Sequence, residues 1–167
     1  LTPEFKEANH PVYLFGAADE SAESLKASWE AFHALHKAGK VKAAWAVEHG
    51  IGEAVMKMSF GNKIGFCSTN DAGENWHLGL SGFLVVELTE DVSIPGVMKL
   101  GVTTAEAVIT LEGDSVSVAE LYKLNADTLE SVYPVHAREE AGEWGITYRT
   151  PLAPLILEGH YGGFIGE

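Results

Sequence analysis

A chain of 167 residues is about one domain at roughly 150 residues per domain, which excludes two complete enzyme lobes. Its 46% hydrophobic and 21% charged residues are the composition of a folded globular protein, not a disordered one. Eleven Lys and Arg against 24 Asp and Glu leave a formal charge of -13, which opposes nucleic acid and anionic membrane surfaces.

Cys67 is the single cysteine, so an internal disulfide and a cysteine-rich zinc site are excluded. No apolar run approaches the roughly 20 residues of a membrane span, and the N-terminus lacks a basic region followed by a hydrophobic stretch. A cytoplasmic location is expected. The opening Leu1-Thr2-Pro3, without Met, reads as a piece cut from a longer protein.

In chain order, Pro11–Gly16 follows a polar lead-in and reads as a short strand. A helix follows, capped by Asp19 or Ser21, with Leu25, Trp29, Phe32 and Leu35 on its apolar side and Lys37, Gly39 and Lys40 at its end. Val41–Val47 is a largely apolar strand expected to be buried on both faces. His49-Gly50-Ile51-Gly52 then leads into a short helix over Glu53–Phe60, stopped by Gly61-Asn62. Lys63–Ser68 is a third strand, Thr69–Gly79 a polar loop and Leu80–Leu88 a fourth strand.

Gly96–Gly101 is a short strand after Pro95, and Ala107–Leu111 and Ser115–Val118 form a hairpin about Glu112-Gly113-Asp114. Ser117-Val118-Ala119-Glu120 opens a helix running to about Val132, with Leu121, Leu124, Leu129 and Val132 apolar, ended by Pro134. Beyond His136, glycines and prolines interrupt every apolar run. The segment 136–167 is therefore expected to be a linker or docking tail, separate from a domain over 1–135. Irregular alternation of strands and helices with a hairpin predicts an α+β fold on a mixed sheet.

The most suggestive chemistry lies at His49-Gly50-Ile51-Gly52, between a strand and a helix. Glycines admit close backbone approach and a helix N-terminus presents free N–H groups, so the turn can cradle a phosphate. The alternative is a tight strand-to-helix turn, and neither GxGxxG nor GxxxxGK[ST] occurs. His33 and His36 share a helix face, but the sequence places no third metal ligand beside them. His10, His77, His136 and His160 are isolated in loops, where a surface role is expected. Cys67 sits in an apolar strand and is expected to be buried and inert. Asp71 and Glu74 fall in a polar loop that is better read as solvated than as a magnesium site. No nucleophile elbow is present, and no catalytic residue or metal ligand is assigned.

The run LHKAGKVKAAWAVEHGIGEAVMKMSFGNKIGF, followed by LSGFLVVEL, MKLGVTTAEAVITLEGDSVSVAEL and LESVYP, resembles the carboxy-terminal subdomain of a PurM-type (AIR-synthetase-related) module. More closely, it is similar to the second such module of the large, single-chain phosphoribosylformylglycinamidine synthases, over about residues 1–135. The resemblance implies an enzyme of purine biosynthesis, a ligase that forms a C–N bond. ATP activates the formyl amide oxygen of a ribonucleotide, and ammonia from glutamine replaces that oxygen. It also implies ATP or ADP with magnesium as cofactors of the parent enzyme. The implied partners are amino-terminal PurM-like subdomains and a glutaminase domain of the same enzyme.

In that family the nucleotide and magnesium contacts come mainly from the amino-terminal subdomains, so the isolated fragment is expected to be inactive. The family's Gly-Gly turn corresponds here to His49-Gly50-Ile51-Gly52, which lacks one glycine of the doublet. His49, Gly50 and Gly52 are the residues expected to line the cleft. Two other readings stand beside this one: a non-catalytic packing module, and a subdomain of another PurM-superfamily enzyme such as aminoimidazole ribonucleotide synthetase or selenophosphate synthetase. Surface that a parent enzyme covers can drive a homodimer of the fragment.

Overall fold

The computed structural model describes residues 1–133 except 18, 20, 70, 71 and 129. The tail expected over 136–167 lies outside the described residues, and Leu1–Thr128 forms a compact unit by itself. Its strands are β1 (Pro11–Phe15), β2 (Val41–Ala46), β3 (Gly65–Ser68), β4 (Leu84–Leu88), β5 (Met98–Thr104), β6 (Val108–Leu111) and β7 (Asp114–Ser117). The helices are α1 (Ala22–Lys37), α2 (Ile51–Phe60) and α3 (Val118–Asp127), and a single 3-10 turn spans Gly73–Trp76.

The strands make one sheet in the order β2-β4-β1-β5-β3-β6-β7. All pairings are antiparallel except β3 with β6, so the sheet is mixed and the fold is α+β, as the residue pattern predicts. Along β1 side chains alternate between faces. Val12 and Leu14 join the core beneath α2 and α3, whereas Tyr13 and Phe15 join the one beneath α1. Both faces are covered, and every residue of β1 is buried. Each large apolar side chain so buried contributes about 1.5–3 kcal/mol.

The helix ends follow local chemistry. Ser21, not Asp19, caps α1: its Oγ accepts from the Ser24 N–H at 3.1 Å, and Asp19 in turn accepts from Ser21. Ser117 caps α3 in the same way, through the Glu120 N–H. The β6–β7 turn places Glu112 at φ 53° and Gly113 at φ 96°, the paired left-handed conformations of a tight hairpin.

Several expectations are corrected. Strand β2 is an edge strand, not one buried on both faces: Val41 and Ala43 are buried, but Lys42, Ala44 and Trp45 only partly. Strand β4 begins at Leu84 because Leu80–Phe83 turns, with the Phe83 N–H donating to the Leu80 carbonyl. Strand β5 begins two residues later than expected and runs on to Thr104, because β1 and β3 pair with it on both sides. Helix α2 starts at Ile51, and β3 only at Gly65. Helix α3 stops at Asp127; Val118 and Leu121 meet the core, whereas Leu124 and Val132 are exposed. Trp29 is 47% exposed on α1, its indole N–H donating to the Gly82 carbonyl. Cys67 is partly exposed rather than buried.

The polar lead-in is the largest surprise. Phe5 is fully buried and stacks on Phe66, and its N–H donates to the Met58 carbonyl on α2. The next residues wrap a carboxylate that faces the same way as Val85 on β4. Glu87 is fully buried and accepts from the backbone N–H groups of Lys6 (2.8 Å) and Glu7 (3.2 Å), and its Oε1 lies 2.6 Å from His10 Nδ1. Thr103 completes the clasp, its hydroxyl donating to the Glu7 carbonyl and accepting from the His10 N–H. His10 is thus a buried-site partner and not the surface residue expected.

Removing the fully buried Glu87 carboxylate leaves two N–H donors and an imidazole without their partner in a part-buried site. Glu87→Ala is expected to lower unfolding free energy by about 3 kcal/mol. Urea denaturation checks this, with an unchanged denaturant slope showing that the native fold is retained.

Candidate functional site

Strand β2 delivers the chain to Val47, whose N–H donates to the Phe83 carbonyl, and the turn His49-Gly50 then opens α2. Gly50 is the N-cap at φ 126°, a conformation that L side chains rarely adopt, and no side chain caps the helix. A second backbone lies against the turn. A Cβ on Gly50 would stand 2.6 Å from the Trp76 carbonyl oxygen, and one on Gly52 3.1 Å from the same atom. A Cβ on Gly79 would stand 2.5 Å from the Glu48 carbonyl oxygen. Residues 48–52 and 76–79 therefore pack backbone to backbone, and this contact by itself excludes a Cβ at Gly50 and Gly79 and leaves a tight fit for one at Gly52.

Beside this contact opens a cavity of about 420 Å³. His49, Gly52, Glu53 and Met56 form one wall, and Trp76 and His77 a second. Ile109, Leu111, Asp114 and Val116 of the β6–β7 hairpin, with Leu121 of α3, close it. His49 and Gly52, expected from the sequence, are thus brought to the cavity, whereas Gly50 lies buried under the Trp76–His77 backbone. Sequence reading missed Trp76 and His77, which fall in a segment too polar to read as a wall. Only the indole at position 76 could have signalled burial.

Along the exposed side of α2, His49, Glu53 and Lys57 stand one turn apart. His49 Nδ1 lies 3.2 Å from Glu53 Oε2, and Lys57 Nζ lies 2.7 Å from Glu53 Oε1. The Lys57 ammonium also sits over the Trp45 ring, 5.7 Å from its centroid. Burial alone would raise the Glu53 pKa, but the hydrogen bond and charge of Lys57, aided by His49, outweigh it and hold the carboxyl below its usual value. His49 is itself 75% exposed at the cavity mouth.

Among the described residues no cluster of three or more His, Cys, Asp or Glu is placed to hold a metal. His33 and His36 lie on α1, across the sheet from the cavity, and Phe32 stacks on His36. Asp71, His136 and His160 lie outside the described residues. No described helix is long and apolar enough to cross a membrane.

Neither a protein-family model nor a curated protein sequence matches the chain. Solved structures do. The structure titled PurLQS from Thermotoga maritima aligns over 72% of this chain at 14% identity and a TM-score of 0.57. T. maritima PurL complexed with AMPPCP aligns over the same share at 13% identity and a TM-score of 0.51. The fold is PurM-like. In both comparisons the chain spans 27% of the other chain's length, about a quarter.

Two outcomes test this geometry. Gly50→Ala forces a side chain into a left-handed conformation and against the Trp76 carbonyl, and is expected to cost about 2–3 kcal/mol. Gly39→Ala, at φ 73° with open space around it, should cost only about 1 kcal/mol. Thermal and urea unfolding of the two variants checks the difference. Separately, Lys57→Met is expected to raise the Glu53 pKa, read by carboxyl-carbon NMR titration. Because the native pKa is depressed, the stabilisation from Glu53 is present above the unfolded value near 4.5 and is lost as pH falls through the lower folded value. The variant should lose that acid dependence.

Proposed function

We propose that this chain is a carboxy-terminal-type subdomain of an ATP-dependent enzyme of the phosphoribosylformylglycinamidine synthase kind. It forms one wall of a nucleotide and substrate cleft that other domains complete. The observation that carries the reading is the fold shared with about a quarter of T. maritima PurL, one of whose structures holds the ATP analogue AMPPCP. The wording around Met58–Gly65 and Gly101–Leu121 supports the same family.

The residues present define what this wall contributes. No Lys or Arg lines the cavity, and no described cluster suits magnesium, so the triphosphate and its metal are assigned to partner domains. Those partners are amino-terminal PurM-like subdomains and a glutaminase domain, with the parent enzyme acting in the cytoplasm. His49 and Glu53, held in one orientation by Lys57, can hydrogen-bond a substrate at the mouth, while Met56, Ile109 and Val116 exclude water. No step of bond making is assigned to this chain, and alone it should not turn over ATP.

A second reading, that of an interdomain packing module without a ligand, draws on the Trp76 carbonyl that fills the space beside Gly50 and Gly52. A thermal-shift titration of the chain with Mg-ATP, Mg-ADP and formylglycinamide ribonucleotide separates the two. Saturation at about 100 times the dissociation constant adds about 2.7 kcal/mol, worth a few degrees. A shift of that size supports the cleft reading. No shift, together with unchanged kcat/KM when Val116→Trp fills the cavity in the complete enzyme, leaves the packing module.

A further inference from the structure

A second cavity lies at the other end of α2, where Phe60 is the last helical residue and Lys63 leads into β3. Ala107 and, from α3, Val118, Ala119 and Tyr122 supply its other walls. Its volume of about 420 Å³ falls within the range of small-molecule sites, roughly 300–1,000 Å³. Phe60 and Tyr122 meet edge to face, with ring centroids 5.3 Å apart and planes at 87°, and so form an aromatic corner.

Among the described residues, Lys63 is the one charged side chain lining this cavity. Lys26, Lys40, Lys57 and Lys99 each face a carboxylate, whereas no described carboxylate pairs with Lys63. In a chain with 24 Asp and Glu against 11 Lys and Arg, a lysine left without such a partner is an exception. Its backbone stands at φ 55°, in the left-handed region that glycine or asparagine adopts more readily than lysine. The turn before it is fixed by Asn62, whose side-chain amide donates to the Phe5 carbonyl at 2.7 Å. The lysine stem is exposed and flexible, so its ammonium can meet an anion seated at the rim. One lysine offsets one negative charge, and within a chain of net charge -13 a polyanion would stay largely uncompensated.

We propose that this second cavity binds a small aromatic monocarboxylate, its ring set against Phe60 and Tyr122 and its carboxylate paired with the Lys63 ammonium. The single cation selects a single negative charge, and the aromatic corner with Ala107 and Val118 selects a flat apolar body. The site is separate from the cavity at the start of α2, and it does not depend on the cleft reading.

The test uses the whole chain labelled with ¹⁵N, its backbone resonances assigned by triple-resonance spectroscopy. Phenylacetate is titrated first, then 2-phenylethanol and inorganic phosphate separately. Phenylacetate is expected to shift Lys63, Ala107 and Ala119 in a saturable way while Ile51 and Glu53 stay in place. The alcohol, which keeps the ring and lacks the charge, should bind about threefold more weakly, the scale of an exposed ion pair. Lys63→Met should weaken phenylacetate by about the same factor, and Lys63→Arg should not. Ala119→Leu, at an exposed helix position that accepts a larger side chain, narrows the cavity and should weaken phenylacetate further than either. Equal binding of acid and alcohol, or unchanged binding by Lys63→Met, would overturn the inference in favour of a purely apolar groove. A saturable phosphate shift at Lys63 without a phenylacetate response, or no response to any of the three probes, overturns it as well.

Discussion

Coverage of the sheet on both faces is the constraint from which the rest of this structure follows. Strand β1 lies between β4 and β5, with α1 on one side and α2 and α3 on the other, so neither it nor β4 has a face to give to solvent. Apolar residues meet that demand at most positions. Glu87 does not, and a carboxylate in that place must find donors within the protein. The N-terminal segment provides them, so residues 5–10 are fixed against β4 and β5 by hydrogen bonds rather than by pairing of their own in the sheet.

The same economy of space shapes the candidate site. Residues 48–52 and 76–79 meet through their backbones, which brings the Trp76 ring under β3's Phe66 and against the cavity. The glycines that look like a phosphate cradle in the sequence are then explained by packing, and the cavity opens beside them, lined by side chains of α2 and the β6–β7 hairpin. His49 belongs to both descriptions, since it follows the strand and opens onto the cavity.

Charge sets what such a site can hold. Lys and Arg, 11 in all, are outnumbered by 24 Asp and Glu, and near the site Lys57 is already committed to Glu53 and Trp45. A ligand bearing several negative charges therefore needs cations from elsewhere.

The sequence by itself determined the local elements and the fold class. Alternation in β1, the Ser21 and Ser117 caps, and the Glu112-Gly113 turn all act within a few residues, so their chemistry is legible along the chain. Only the tertiary structure decided the burial of Phe5, the clasp of residues 6–10 on Glu87, the edge position of β2 and the wall made by Trp76. Each joins residues dozens of positions apart, and nothing in local periodicity says which polar residue will meet which buried partner. Helix α3 shows the same limit from the other side: its apolar spacing continues to Val132, but the packing surface ends sooner, and without a surface to cover, the pattern does not hold the helix.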